Sequence, residues 1–202
     1  MSSRSRALWT QKIKTRSGGN SKPSSSGSSS GKAHPVAGSL GSTPFRGRVL
    51  GIDPSLRGTG LCLVSVEGPE RFQRERSLTL KMQRDLSFHD CLGDISQAIE
   101  DLVREYPPDH IAVEESIYVQ NYQIALKLGA ARGAAIGPAA RRKIPVYEYP
   151  PLRIKQAVVG KGRASKEQVA GMVQSLLNLS EQLSSDESDA AAAAICHALT
   201  WH

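Results

Sequence analysis

Two short apolar runs in this chain each end in a carboxylate. Val49-Leu50-Gly51-Ile52 leads into Asp53-Pro54, and Ile111-Ala112-Val113 leads into Glu114-Glu115. A short apolar run bounded by charge and turn residues is the pattern of a buried strand. In sheets flanked by helices, ligands bind beyond the carboxyl ends of the strands. Asp53 and Glu114 are both expected there.

The rest of the chain fills in around these two strands. Thr59–Val66 reads as a second strand, and Gly58 and Gly60 in the connection permit a hairpin. Phe72–Leu80 is a third strand with a weaker pattern. Asp85–Tyr106 reads as a helix, with Leu86, Cys91, Ile95, Ile99, Leu102 and Val103 near helical spacing, and Pro107-Pro108 stops it. Tyr122–Arg142 is a helix and Pro145–Tyr149 a fifth short strand. Helices follow around Leu152–Val159, over Ser165–Leu179 with Ser165 as N-cap, and over Asp186–Trp201. The order predicts an α/β fold: a mixed five-stranded sheet flanked by helices.

The 202 residues suit one domain. Residues 17–44 are dominated by Ser and Gly, a composition that cannot bury enough apolar surface to offset its ordering entropy. Residues 1–45 are therefore expected to be a disordered extension, and 46–202 the folded domain. The charge is segregated. Nine of the 26 Lys and Arg fall in residues 1–48, where there is no Asp or Glu. Such an arm suits a polyanion such as DNA, and equally a solvated tail. Cys62, Cys91 and Cys196 form no CxxC pair, which fits a reducing compartment. No apolar run reaches the ~18 residues needed to span a membrane. A bacterial cytoplasm is the simple default. The acid-free, Ser- and Arg-rich N-terminus also reads as an organelle transit peptide, which is the alternative.

Four carboxylates form a constellation. Asp186 and Asp189, three apart at the start of the last helix, join Asp53 and Glu114. Each has a plainer reading: turn chemistry for Asp53-Pro54, a surface group for Glu114, helix capping for Asp186 and Asp189. Taken together they would repel one another unless hard cations such as Mg²⁺ or Mn²⁺ bind. Two such ions can activate a water and stabilise a leaving oxygen in phosphodiester hydrolysis. Lys155, Lys161, Arg163 and Lys166 gather around Gly160 and Gly162, which suits phosphate contacts or a solvated loop. Gly129, Gly133 and Gly137 recur every fourth residue, as a close-approach stripe toward the sheet or toward a second subunit. Ala190–Ala194 form a thin helix face that would hold Asp186 and Asp189 near Asp53. His89 and His197 lack metal-type partners, and Trp9 and Trp201 lie outside every motif.

Six segments, in order, resemble the RuvC resolvases. They are Gly51-Ile52-Asp53-Pro54-Ser55-Leu56-Arg57-Gly58-Thr59-Gly60, then Ile111 to Glu115, then Ala125-Leu126-Lys127-Leu128-Gly129-Ala130-Ala131-Arg132-Gly133. Val146 to Tyr149, Ile154 to Gly162, and Asp186-Glu187-Ser188-Asp189-Ala190-Ala191 complete the set. The likeness runs from about residue 47 to the C-terminus. It implies an RNase H-like fold and a homodimer that makes paired, symmetric nicks in four-way (Holliday) DNA junctions during recombination and repair. It implies metal ligands at Asp53, Glu114, Asp186 and Asp189, two Mg²⁺ per site with Mn²⁺ able to substitute, and catalytic or DNA-contacting roles for Lys155 and Lys166. Lys161 and Arg163 would add DNA contacts, and the RuvA–RuvB branch-migration complex would be a partner. The family's aromatic wedge falls at Ile117, with Tyr118 next to it, so the wedge is either aliphatic or shifted by one residue.

Three other readings compete. A junction-binding protein with an idle metal site is disfavoured, because all four carboxylates are present. An actin-like ATP-binding fold would need a second Asp-Gly-rich phosphate loop, which the sequence lacks, and a longer chain. A nuclease of RNA–DNA hybrids from the same superfamily is countered by the Lys155 segment and the Asp186/Asp189 pair.

Overall fold

The structure is a computed structural model and describes residues 44–115 and 121–201. Ile117, Tyr118 and nearly all of the N-terminal extension lie outside the described residues. Five strands form one sheet: β1 (Gly47–Asp53), β2 (Gly58–Gly68), β3 (Arg71–Lys81), β4 (His110–Glu114) and β5 (Val146–Tyr149), in the order β3-β2-β1-β4-β5. β1, β2 and β3 are antiparallel neighbours, while β4 runs parallel to β1 and to β5. The helices are α1 (Phe88–Glu105), α2 (Tyr122–Arg141), α3 (Pro151–Val159), α4 (Lys166–Leu176) and α5 (Ser185–Thr200).

All five expected strands and all five expected helices are present, with shifted ends. α1 starts at Phe88 instead of Asp85 because the Ser87 side chain accepts the Asp90 N–H and caps the helix there. α4 carries the expected Ser165 cap as a full capping box with Gln168. It stops at Leu176 instead of Leu179 because Asn178 turns into the left-handed region (φ 50°).

The alternation of each strand splits the core in two. Leu50, Ile52, Leu61, Leu63, Ile111 and Val113 face α1 and α2, where they meet Ile95, Ile99, Val103, Ala131, Ala135 and Ala139. Val49, Cys62, Val64, Ala112 and Tyr149 face α3, α4 and α5. β1 and β4 are thus covered on both faces, as their unbroken apolar runs require. β3 is an edge strand, and Arg71, Gln73, Glu75 and Arg76 leave it charged and polar on its exposed positions.

α5 lies unusually close to the sheet. A Cβ on Gly51 would stand 1.8 Å from the Ala190 carbonyl oxygen, and one on Gly60 would stand 2.0 Å from that of Asp186. The run Ala190–Ala194 is buried against these glycines. Backbone thus rests on backbone, which holds the N-terminal end of α5 over the carboxyl end of β1 as the alanine run predicts.

Candidate active site

Asp53 and Glu114 become neighbours through strand register. β1 and β4 are parallel with Ile52 opposite Val113, so the next residue of each strand is a carboxylate at the same sheet end. Asp189, on the second turn of α5, comes down on the same point. The three carboxylates, Lys155 of α3 and Lys166 of α4 line one cleft of about 230 Å³, whose apolar wall is Pro151, Ile154, Val169 and Ala192. Asp186 stands aside from this lining, over the β1–β2 turn. Its Oδ2 would be 3.1 Å from a Cβ at Gly58. Asp186 is nevertheless near enough for its charge to raise Asp53.

The electrostatics report a crowded set of anions. Burial, and then the charges of Asp189, Glu114 and Asp186, push Asp53 up to about 7. Burial and Asp189 also raise Glu114. Lys166 is raised by its hydrogen bond to Asp189, donated from Nζ to Oδ2 over 3.0 Å. Among the described residues, no three acidic, histidine or cysteine side chains already converge at metal-ligand spacing. The donor set nevertheless fits a hard cation: it is anionic, made of oxygens, and its repulsion is only partly offset by Lys166 and Lys155.

The remaining expected contacts fall elsewhere. Lys161 and Arg163 are exposed on the α3–α4 connection, just after Gly160 ends α3 in the left-handed region (φ 77°), and they do not line the cleft. The glycine stripe of α2 does not pack on its own sheet: a Cβ at Gly129 or Gly133 would meet nothing within 4 Å.

The family model described as "Crossover junction endodeoxyribonuclease RuvC" matches residues 49–197, which span every element of the sheet and the cleft. The chain belongs to the RuvC family. The RuvC crossover junction endodeoxyribonuclease of Trichlorobacter lovleyi is 46% identical over 150 residues, 74% of this chain and 84% of that one. That of Halorhodospira halophila is 44% identical over 151 residues, 75% and 89% of the two chains. In three dimensions the chain is similar to RuvC of Thermus thermophilus solved in complex with a Holliday junction substrate. The TM-score is 0.72 at 34% identity, covering 76% of this chain and 93% of that one. The yeast mitochondrial Holliday junction resolvase Ydc2 shares the fold at 16% identity, with a TM-score of 0.55. The RNase H-like α/β fold and the RuvC resemblance expected from sequence both hold.

Some supporting residues were not singled out from the RuvC motifs. The buried Thr59 hydroxyl donates to the Ser55 carbonyl at 2.6 Å and fixes the turn after Asp53. Arg132, inside a family motif, donates from Nη1 to the Glu114 carbonyl at 2.7 Å. His197 is fully buried between the Tyr149 hydroxyl (2.7 Å) and His110 Nδ1 (2.9 Å), and Trp201 packs on both imidazoles. A lone histidine in an alanine-rich helix gave no sign of this network.

Proposed function

We propose that this RuvC-family chain resolves four-way DNA junctions by paired, symmetric phosphodiester hydrolysis. The observation that carries this is the meeting of Asp53, Glu114 and Asp189 with Lys155 and Lys166 in one cleft at the carboxyl ends of β1 and β4. Asp53, Glu114 and Asp189 would hold divalent cations, with Asp186 joining from the β1–β2 side. Two Mg²⁺ ions, or Mn²⁺ in their place, would supply an activated water and charge stabilisation at the departing oxygen. The water oxygen forms the new bond to phosphorus as the bond to the 3′ oxygen breaks, leaving a 5′-phosphate and a 3′-hydroxyl. Lys155 and Lys166 would bind the scissile phosphate and offset the charge that develops on it. The apolar wall from Ile154 to Ala192 limits water on one side and sharpens these interactions.

Symmetric nicking asks for two such sites in one assembly. A homodimer through the open Gly129–Gly133 face of α2 would supply them, and its two-fold axis would set the cuts on opposing strands. Lys161, Arg163 and the basic arm of residues 1–45 would add salt-dependent contacts to the phosphate backbone outside the cleft. Ile117 or Tyr118 would wedge near the branch point. A bacterial cytoplasm and work beside a RuvA–RuvB branch-migration complex complete the proposal. No helix among the described residues is long and apolar enough to cross a membrane.

The test is incubation with a synthetic four-way junction, a linear duplex and an RNA–DNA hybrid, each with and without Mg²⁺. Symmetric, Mg²⁺-dependent nicks in the junction alone are expected. Cleavage of the hybrid instead would move the chain to the RNase H side.

A further inference from the structure

β4 ends where its hydrogen-bond ladder fails. Ile111 and Glu115 donate their N–H groups to β5, at the carbonyls of Pro145 and Tyr149. Backbone groups alternate sides along a strand, so Ala112 and Glu114 turn theirs toward β1. In the observed register, Leu50 opposite Ile111 and Ile52 opposite Val113, the Glu114 carbonyl looks for the N–H of residue 54. Residue 54 is proline and has none. The carbonyl of a candidate metal ligand would therefore be left without a strand donor at the edge of the core, which is costly.

Arg132 supplies that donor from the opposite face of the sheet. It sits on α2, the side chain is 14% exposed, and Nη1 donates to the Glu114 carbonyl at 2.7 Å. Nη2 forms an ion pair with Glu148 Oε2 of β5 at 2.6 Å. The planar guanidinium thus spans the ends of β4 and β5 beneath the cleft, while the Glu114 carboxylate projects into the cleft above. Holding the carbonyl direction fixes the peptide plane of Glu114, and with it the Cα–Cβ direction that aims the carboxylate.

We infer that Arg132 is a positioning residue for Glu114: it replaces the N–H that Pro54 cannot offer and ties helix α2 to the metal-binding end of β4. This inference rests on the reading of Glu114 as a ligand of a divalent cation. Groups that orient a metal ligand typically change affinity by about 10–100-fold when removed. Met at position 132 keeps the length and apolar stem but cannot donate. Lys can donate one bond to the carbonyl and keeps the charge. Glu148→Gln removes the ion pair and leaves the bond to Glu114.

The experiment compares the full-length wild type with Arg132→Met, Arg132→Lys, Glu148→Gln and Glu114→Gln. It measures Mn²⁺ affinity by calorimetry, kcat on a four-way junction, junction Kd in EDTA, and hydrogen exchange at the Glu115 amide. For Arg132→Met the expected result is a loss of about tenfold or more in Mn²⁺ affinity and in kcat, with junction Kd within about twofold, and faster Glu115 exchange. Arg132→Lys recovers most of both losses. Glu148→Gln lowers Tm without touching Mn²⁺ affinity or Glu115 exchange. An Arg132→Met protein that is merely less stable, with Mn²⁺ affinity, kcat and Glu115 exchange like wild type, overturns the inference. If Glu114→Gln itself keeps full Mn²⁺ affinity, the metal-site reading fails instead. Glu115 exchange, which needs no metal, then still decides whether Arg132 holds this strand end.

Discussion

The Lys166 ammonium lies 3.0 Å from Asp189 Oδ2, and so a cation already stands on one of the carboxylates of the cleft. It links the first turn of α4 to the second turn of α5. Both that ammonium and any divalent ion at the site draw on the same Asp189 charge.

Replacing Lys166 with Met should therefore move two properties in opposite directions. Without metal the acidic cluster loses the ammonium that is hydrogen-bonded to Asp189 and keeps only Lys155 in the cleft lining, and Tm should fall. With metal a competitor and a like charge are gone, and Mn²⁺ affinity should rise by roughly fivefold, the factor that corresponds to ~1 kcal/mol of screened ion pairing. Calorimetric titration of the two proteins in low salt measures this. Unchanged or weaker Mn²⁺ binding would mean that the lysine does not compete for the site.

Asp53→Asn should separate chemistry from folding. Asp53 is pushed up to about 7 by burial and by three neighbouring carboxylates, so its ionised form is the strained one. An acid whose folded pKa lies above its unfolded value favours the folded state below that unfolded value, and this contribution is lost as pH rises toward 7. The metal-free Asn variant should thus be the more stable protein at pH 8, by up to a few kcal/mol, while junction cleavage disappears and junction binding persists. Melting curves in EDTA at pH 5 and pH 8, with gel-shift and cleavage assays, test both halves. Loss of junction binding as well would assign the cluster a structural role.

The His197 network should steepen acid unfolding. Burial first, and then His110, lower His197 to about 4 from an ordinary 6.5. Tyr149 and His110 occupy its two ring nitrogens. A base with a depressed folded pKa contributes stability above its unfolded value, and that contribution is lost as pH falls from 6.5 toward 4. The full loss is about 3 kcal/mol at one unit per ~1.4 kcal/mol. Urea unfolding at pH 7, 6 and 5 should show the drop, and His197→Gln should flatten it while lowering stability at pH 7.

Two glycine substitutions should behave in opposite ways. Gly51→Ala places a methyl group 1.8 Å from the Ala190 carbonyl, which is backbone and cannot swing aside. A loss of about 3 kcal/mol or more is expected in chemical denaturation. Gly133→Leu on α2 meets open space and should leave the folded monomer intact. It should dissociate the proposed dimer, read by analytical ultracentrifugation. A variant dimer as tight as wild type would exclude that face as the interface.

What the sequence revealed depended on how local the signal was. β1 and β4 were legible because an apolar run ending in an acid carries both the strand and its chemistry within five residues. The alanine run of α5 told of close packing because only small residues allow it. Asp186 was harder, since a spacing of three places two residues near one helix face without saying which strand lies beneath each. The bond from Arg132 to Glu114 was not legible, because it depends on the parallel register that sets Pro54 against β4. The His110–His197–Tyr149 contact joins residues 87 and 48 positions apart, on elements that meet only in the folded core.

The contact of α5 with Gly51 and Gly60 has a consequence for how this chain tolerates change. Its aspartates are carried on a helix whose height above the sheet is set by two absent methyl groups. A saturation scan of α5 should therefore find Ala190 as intolerant of substitution as Asp189, although it has no chemistry of its own. From Ala190 to His197 the helix is buried all round, between the sheet and helices α3 and α4, so only coordinated exchanges with those neighbours could change the spacing of the carboxylates.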